Sequence, residues 1–379
     1  ISPNLVILLL GRFMQGIMEY FRIFVDFGYS LTAPKAIAQA EEQNISSLFA
    51  KYFYGKVCIL IFITAVFFAI YNLQRILLGN TIDILLFQVM YCGIIGNVLF
   101  PVWFFQGIQK MRYITILNMS GRICTMLGIF LLVKSPDDYI LAAFLQSCTP
   151  LIAGIFSIVW LRKHYTGLFK LPPMGEIINS YKEGWSIFVS SLAVNLYTAT
   201  NVVVLGMLTN NVIVGYYSAA DKLITCVRRG IYAVSDAIYP FISKMMRDDI
   251  PKGLQFIKKQ LFLYLIVGLV GCTSLFFFSD TIVRLLFGAD YDLTVDVLRI
   301  LSFVPLAVAI STVFGEETML PLNMNSAYSR TLVLGAFFSL ISIFPLCYLW
   351  GAKGVAITML LTEFLIMSIM GGLLRKQLF

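Results

Sequence analysis

Charged side chains recur at helical spacing inside stretches that are otherwise apolar. Near the start of the chain, Arg12, Gln15, Glu19, Arg22 and Asp26 follow one another at steps of 3, 4, 3 and 4. This spacing places all five on one face of a single helix. Charges in a membrane helix are costly unless they face water, a partner or a ligand. The stripe is therefore predicted to line a hydrated cavity, and the alternative is a polar seam that only holds helices together.

A denser pattern of the same kind lies within residues 211–242. One stripe consists of Asp221, Thr225, Arg228, Tyr232, Ser235 and Tyr239, and a neighbouring stripe consists of Lys222, Cys226, Arg229, Ala233, Asp236 and Pro240. Both stripes are predicted to line a cavity, and the alternative is internal ion pairing without substrate contact. Apolar residues such as Ile224 and Val234 fall on the opposite face, where we expect lipid or other helices.

Two further segments each carry a milder polar face. These faces consist of Thr115, Asn118, Arg122 and Thr125 in one segment, and of Ser191, Asn195 and Thr198, with Asn201 nearby, in the other. The four polar helices, two from each half of the chain, could together line one central cavity. Its excess of lysine and arginine favours a substrate that is anionic or carries an anionic head.

The remaining polar residues predict no catalytic or metal site. The chain has seven cysteines, none in a CxxC pair, and a single histidine, His164, so a metal centre is not expected. No cofactor is predicted, although Asp26, Glu19, Asp221 and Asp236 could couple transport to H⁺ or Na⁺. Five other charges are predicted to be interfacial or packing residues: Asp296, Arg299, Glu316, Glu317 and Glu363.

The elements that position these side chains are predicted to be membrane helices. The 379 residues are 59% hydrophobic and only 13% charged, whereas a soluble domain is about 25% charged. Long apolar runs without alternation predict an all-α polytopic bundle rather than a barrel. We expect eleven spans, at 3–31, 49–71, 81–105, 112–134, 138–161, 182–208, 211–242, 256–279, 294–318, 328–350 and 352–374.

Lysine and arginine in the short loops predict the orientation, because such residues concentrate on the cytoplasmic side. The loops on one side of the predicted membrane hold Lys35, Lys51, Lys56, Lys110, Arg112, Arg162, Lys163, Lys170, Lys182, Lys244, Arg247, Lys252, Lys258, Lys259, Arg330, Arg375 and Lys376. The loops on the other side hold only Arg75, Lys134, Arg284 and Lys353. The C-terminus is therefore predicted to be cytoplasmic, and residue 1 to lie outside. Because the chain begins with Ile1 and such a start would be unusual, we expect that a first helix precedes it and that the native protein has twelve spans.

The basic loop with Pro172 and Pro173 predicts a division into two similar halves. We expect an N-terminal bundle at 1–165 with five spans, a cytoplasmic linker at 166–181, and a C-terminal bundle at 182–379 with six spans. Such a layout is typical of transporters built from internal repeats.

Several stretches resemble the polysaccharide or O-antigen repeat-unit flippase family of the MOP superfamily. The matching residues are FVDFGYSLTAPKAIAQ at 24–39, PVWFFQGIQKM at 101–111, GYYSAADKL at 215–223 and IYPFISKM at 238–245. They follow the family order over most of the chain. Gln109 stands where the family usually has an acid, and Asp221 where it usually has Glu.

This resemblance implies a MATE-like two-bundle fold and a bacterial inner-membrane protein. The substrate implied is an undecaprenyl-pyrophosphate-linked oligosaccharide, moved by alternating access for the synthesis of O-antigen, capsule or exopolysaccharide. Membrane lipids, the polysaccharide polymerase and the chain-length machinery are the implied partners, and no nucleic acid is expected. In the loop at 101–112, Trp103 is expected to anchor at the membrane interface and Gly107 to permit a bend.

Three alternative functions fit the sequence less well. A cation-coupled drug exporter of the same superfamily would favour an acidic cavity, whereas residues 211–242 are basic. A lipid II flippase is the second alternative, and the sequence alone does little to distinguish it from an oligosaccharide flippase. A membrane polymerase or glycosyltransferase would be expected to carry long loops with catalytic groups, and no predicted loop exceeds about twenty residues.

Overall fold

The computed structural model describes residues 18–78, 84–135, 138–288 and 290–378. Throughout these residues the regular structure is helical, without strands, which confirms the predicted helical bundle. The chain forms two compact units, which we call unit 1 (Ile1–Phe188) and unit 2 (Val189–Phe379). The predicted bundle and linker boundaries stay a prediction.

Within its described residues, unit 1 contains seven helices and the first part of an eighth. They are α1 (18–26), α2 (Tyr29–Ala38), α3 (Ile45–Leu78), α4 (Ile84–Leu99), α5 (Val102–Gly107), α6 (Met111–Leu132), α7 (Tyr139–His164) and α8 (Met174–Leu208). A short 3₁₀ turn at Glu42–Asn44 leads into α3.

Unit 2 begins inside α8 and continues with seven further helices. They are α9 (Asn211–Asp248), α10 (Ile250–Phe277), α11 (Ser279–Phe287), α12 (Asp292–Leu301), α13 (Val304–Phe314), α14 (Asn325–Trp350) and α15 (Ala352–Leu378). A π-helical turn at Gly315–Met319 follows α13. Such turns interrupt regular helices and are frequent at functional sites.

Nine segments of the described residues are long and apolar enough to cross a membrane, which makes this a multi-pass membrane protein. They are Glu42–Val66, Gln88–Gly107, Met111–Leu132, Ile140–His164, Met174–Leu208, Ile250–Phe277, Asp292–Met319, Asn325–Trp350 and Ala352–Arg375. The predicted span at 211–242 corresponds to the continuous helix α9, whose polar content excludes it from this apolar set. The predicted span at 3–31 lies partly outside the described residues.

An aromatic cluster forms the core of unit 1. Trp103 is 3% exposed, and its ring centroid lies 5.5 Å from that of Phe49 and 6.0 Å from that of Tyr52. The expectation that Trp103 anchors at the membrane interface is therefore wrong. Its indole is surrounded by other rings of unit 1, where aromatic pairs stabilise the packing of α3 against α5.

The bend after α5 also differs from expectation. Gly107 has ordinary helical geometry, and it is Gln109 that adopts the left-handed conformation, with φ of 58°. A Cβ at position 107 would lie 2.7 Å from Cβ of Ile37. Gly107 is therefore required for the close approach of α2 to α5, and Gln109 makes the turn.

A second left-handed turn separates α1 from α2, inside the sequence VDFGYS. Phe27 and Gly28 have φ of 47° and 77°. The Phe27 ring stacks on Phe188 with centroids 4.6 Å apart, and a Cβ on Gly28 would lie 2.6 Å from the Gly184 carbonyl oxygen. The bulky Phe27 is held in an unfavourable conformation by this packing, and α1 and α2 meet α8 here.

Candidate functional site

The first predicted stripe is only partly described, because Arg12 and Gln15 lie outside the described residues. In α1, Arg22 pairs with Glu19 at 3.6 Å, and both side chains are more than half exposed. Arg22 and Asp26 are four residues apart on one helical face, a spacing that allows an ion pair, but they do not pair. Asp26 instead pairs with Lys56, at 2.7 Å between Oδ1 and Nζ, and also accepts a hydrogen bond from the Ser30 backbone N–H.

Lys56 was predicted to lie in a cytoplasmic loop, but it lies inside α3 with its side chain 8% exposed. A buried lysine needs a nearby anion to offset the loss of hydration. The Asp26 carboxylate supplies that anion. The Asp26 end of the stripe thus stabilises unit 1, and the Glu19 and Arg22 side chains are the exposed part.

The polar face of α6, like the stripe of α1, has both buried and exposed members. Thr125 is buried and donates a hydrogen bond to the Gly121 carbonyl at 2.9 Å. Asn118 is half-buried and Arg122 is exposed. Among the described residues Arg122 makes no ion pair, so its guanidinium is open to a ligand.

The two stripes of α9 lie in different environments. The Asp221 stripe packs largely inside unit 2, with Ser235 fully buried and Tyr239 3% exposed. In the neighbouring stripe five residues are exposed: Lys222, Cys226, Arg229, Ala233 and Asp236. The prediction treated both stripes alike, and the structure leaves mainly the second open to a ligand. Ile224, on the face expected to meet lipid or other helices, is fully buried in the core of unit 2.

Arg228 is the centre of a polar network inside unit 2. Its Nη2 donates a hydrogen bond to the Thr225 hydroxyl at 3.1 Å and lies 3.8 Å from Oδ1 of Asp221. The Arg228 side chain is only 13% exposed. Glu363 of α15 is close enough to Arg228 for their charges to interact. Glu363 also accepts a hydrogen bond from the Tyr197 hydroxyl at 2.9 Å. This network links α8, α9 and α15 within unit 2.

A second buried polar group surrounds Glu317, in the π-helical turn. Glu317 is fully buried and accepts a hydrogen bond from Gln260 Nε2 at 2.5 Å. The hydroxyls of Ser235 and Tyr264 approach Glu317 and Gln260, respectively, but neither makes a well-formed hydrogen bond. Glu317 Oε1 and Gln260 Oε1 also have no partner among the described atoms. Sequence reasoning missed this group, because its members come from α9, α10 and the turn after α13.

Most polar side chains on this face of α8 in unit 2 form hydrogen bonds with backbone carbonyls of the same helix. Asn195 is half-buried and donates a hydrogen bond to the Ser191 carbonyl at 2.9 Å. Thr198 donates to the Val194 carbonyl at 2.8 Å. Asn201 is 2% exposed and belongs to the interior of unit 2. Within the described residues the Asn195 amide oxygen accepts no hydrogen bond and is accessible to a ligand, whereas the unpartnered amide oxygen of Asn201 is buried.

The exposed members of the predicted set can therefore be separated from the structural ones. The exposed members are Glu19, Arg22, Arg122, Lys222, Arg229 and Asp236. Asn118 and Asn195 are half-buried amides, and Asp26, Asp221 and Arg228 are half-buried but engaged in ion pairs. The exposed cations can form charge-assisted hydrogen bonds with phosphate oxygens, and the amides and exposed carboxylates can bind hydroxyl groups. Asp26, Asp221 and Arg228 instead hold their own units together.

In the described part of the chain, no cluster of His, Cys, Asp and Glu is arranged to hold a metal ion. The seven cysteines are free thiols. Asp296 and Arg299, predicted to be interfacial, are both 43% exposed, and Asp296 pairs with Lys353 at 2.7 Å.

These helices form a MATE-like fold. A MATE protein crystallised in the bent conformation superposes with a TM-score of 0.81 at 13% identity, over 100% of this chain and 88% of that one. The lipid II flippase MurJ in an inward closed conformation superposes with a TM-score of 0.63 at 13% identity, over 99% of this chain and 82% of that one. At such identity the likeness concerns the fold alone.

The sequence places the chain within one family of this fold. Residues 11–246 match the model of the family described as polysaccharide biosynthesis protein. A protein of Escherichia coli strain K12, named as a candidate O-antigen transporter, is 30% identical over 96% of this chain and 88% of its own length. The chain belongs to the polysaccharide biosynthesis protein family, in agreement with the resemblance drawn from its motifs.

Proposed function

We propose that this protein is a flippase for a lipid-linked oligosaccharide. The proposed substrate is an undecaprenyl-pyrophosphate-linked repeat unit, which the protein moves across the bacterial inner membrane for the synthesis of O-antigen, capsule or exopolysaccharide. The 30% identity to a named O-antigen transporter over nearly the whole chain supports this assignment. The mature C-terminus is proposed to be cytoplasmic, from the distribution of lysine and arginine.

The single structural observation that carries the proposal is the set of exposed cations on helices of a very apolar chain. Lys222 and Arg229 lie seven residues apart on one face of α9, and Arg122 is exposed on α6. A pyrophosphate and a sugar chain cannot cross hydrocarbon without loss of hydration. Fixed cations offset that loss by binding the diphosphate, while the lipid tail stays in the bilayer.

Translocation is proposed to occur by alternating access, in which the cationic residues are open first to one side of the membrane and then to the other. Coupling to H⁺ or Na⁺ would need an acidic group that is not already neutralised. Asp26 and Asp221 are paired with Lys56 and Arg228, and Glu19 with Arg22. Asp236 is exposed and makes no ion pair within the described residues, so it is the proposed coupling carboxylate.

The proposal is tested with the full-length protein in proteoliposomes. The assay follows the appearance of an undecaprenyl-pyrophosphate oligosaccharide in the opposite leaflet. A cationic dye and lipid II are the control cargoes, and protein-free liposomes are the blank. We expect movement of the lipid-linked sugar but not of the dye. Movement of the dye alone would identify a drug exporter, and movement of lipid II in preference to the oligosaccharide would identify a peptidoglycan-precursor flippase.

A further inference from the structure

A cavity of about 860 Å³ lies at one end of unit 1. Its lining comes from the start of α3, the turn before α6, the end of α7, the segment 165–173 and the first turn of α8. This volume is within the range of small-molecule sites. The distribution of lysine and arginine predicts that this end faces the cytoplasm.

The walls of the cavity are held in place by hydrogen bonds between distant parts of the sequence. Ser46 donates to the Thr166 carbonyl at 3.1 Å, and Tyr54 donates to the Phe169 carbonyl at 2.9 Å. The Phe169 ring packs against Phe49, with centroids 5.4 Å apart. The segment 165–173 is thus fastened to α3, and a preformed site loses less free energy when a ligand binds.

One part of the lining is cationic. Lys110 and Lys170 line the cavity together with His164, and neither lysine forms an ion pair within the described residues. The ammonium of Lys110 lies 5.3 Å from the centre of the Trp160 ring, an orientation stabilised by cation–π attraction. Two unpaired lysines in one preformed site suit an anionic group such as phosphate.

His164 has a defined orientation in this wall. Its ring stacks on Trp160 with centroids 4.2 Å apart, and its Nδ1 is 2.9 Å from the Trp160 carbonyl oxygen. Since a carbonyl oxygen can only accept, Nδ1 donates this hydrogen bond. The Nε2 atom is then the ring nitrogen that remains for a ligand.

The lining also contains acidic and neutral polar side chains. Glu42 and Glu176 line the same cavity, with Ser47 and Thr166. Neither carboxylate is paired with Lys110 or Lys170, although all four charges belong to one cavity of the described structure. A bare phosphate would be repelled by the carboxylates. A ligand that also carries hydroxyl groups would donate hydrogen bonds to them.

From the lysines and carboxylates of this one lining we infer that the cavity binds a glycosyl phosphate, with the phosphate at Lys110 and Lys170 and the sugar hydroxyls at Glu42 and Glu176. The ligand could be the head of the lipid-linked substrate or a soluble sugar phosphate. The first source rests on the proposed flippase function, and the second does not.

The inference is tested by ligand-observed NMR on the full-length protein in lipid nanodiscs. The probes are the 1-phosphates of glucose, galactose and N-acetylglucosamine, with inorganic phosphate and free glucose as the two partial ligands. We expect at least one sugar phosphate to bind about tenfold more tightly than either partial ligand. No binding of any sugar phosphate at about 10 mM, or equal binding of inorganic phosphate, would overturn the inference.

Single substitutions test the roles of the lysines and of the carboxylates in the cavity. Lys170→Gln is expected to weaken sugar phosphate binding about tenfold, whereas Lys163→Gln, an exposed neighbour outside the cavity, should leave it unchanged. Glu176→Gln should weaken binding of the sugar phosphate but not of inorganic phosphate. Equal loss in the Lys170 and Lys163 variants would mean that only general positive charge matters, and the site would be rejected.

A competition experiment separates the two sources. Undecaprenyl-pyrophosphate oligosaccharide is added to the same nanodiscs, and displacement of the soluble probe identifies the lipid-linked head as the ligand. Retention of the probe identifies a soluble sugar phosphate instead. If probe binding is intact but the proteoliposomes move no lipid-linked sugar, the proposed function fails while the cavity assignment stands.

Discussion

Arg228 and Arg229 are consecutive residues of α9, yet the Arg228 side chain is largely buried in unit 2 and Arg229 is exposed on its surface. The Arg228 guanidinium binds Thr225 and lies 3.8 Å from Asp221, whereas Arg229 is exposed beside Lys222 on the next stripe. A helical step of about 100° is enough to separate the two. The pair therefore offers a matched comparison between a structural and a ligand-binding arginine.

Arg228→Ala is expected to lower the free energy of unfolding by about 1–3 kcal/mol, because it leaves Asp221 without its cation. Arg229→Ala should change it by no more than about 0.5 kcal/mol. Thermal unfolding of the purified proteins measures both. Arg229→Ala should instead reduce oligosaccharide transport, by about tenfold if the guanidinium binds the diphosphate. Full transport by a normally abundant Arg229 variant would remove this residue from the substrate path.

The Asp26–Lys56 pair predicts a second contrast. Lys56→Ala should lower the free energy of unfolding by about 1–3 kcal/mol, since Asp26 then loses a largely buried partner. The exposed Glu19–Arg22 pair is the control, and Arg22→Ala should cost less than about 0.5 kcal/mol. A double-mutant cycle with Asp26→Asn measures the coupling. Strictly additive effects would show that the two charges do not stabilise each other.

Glu317 is expected to tolerate loss of its charge better than loss of its hydrogen bond. Glu317→Gln keeps the size and a polar partner for Gln260, so the unfolding temperature should be unchanged or higher. Glu317→Leu leaves the Gln260 amide unpaired and should cost about 1–3 kcal/mol. Thermal unfolding compares the two variants, with exposed Asp248→Asn as the control. If the Gln variant is as unstable as the Leu variant, the negative charge itself is required.

Gly28 is predicted to be irreplaceable at the turn between α1 and α2. Gly28→Ala forces a Cβ into a left-handed conformation and against the Gly184 carbonyl, which should lower the free energy of unfolding by about 2 kcal/mol or more. Gly271→Ala, with open space around the added Cβ, should stay within about 0.5 kcal/mol. Similar unfolding temperatures for the two variants would contradict the packing described at this turn.

Lys35 of α2 predicts a dependence of stability on pH. Burial lowers the pKa of Lys35 to about 8, against about 10.4 for an unfolded lysine. At pH values between these two pKa values the unfolded chain binds more protons than the folded chain. The free energy of unfolding should therefore rise with pH from about 8 to about 10. Lys35→Met should remove this part of the slope and stabilise the protein near about pH 7. The exposed Lys163→Met should keep the slope, and an unchanged slope in both variants would refute the prediction.

The membrane class, the helical fold and the family could be predicted from the sequence because each depends on local pattern. Runs of apolar residues specify helices by their length. The motifs at 24–39 and 101–111 need no knowledge of contacts. The stripe on α9 was likewise visible from spacing alone, since residues three or four apart share a helical face.

Which stripe is buried could be decided only by the tertiary structure. Spacing shows that Arg228 and Arg229 lie on adjacent stripes, but burial depends on what packs against each stripe. The same holds for Trp103, whose ring is enclosed by residues of α3. Glu317, Gln260 and Ser235 approach one another only because three helices pack together, and the cavity beside Lys170 exists only because segment 165–173 is fastened to α3. Such contacts join residues far apart in the chain, so the local spacing of residue types cannot predict them.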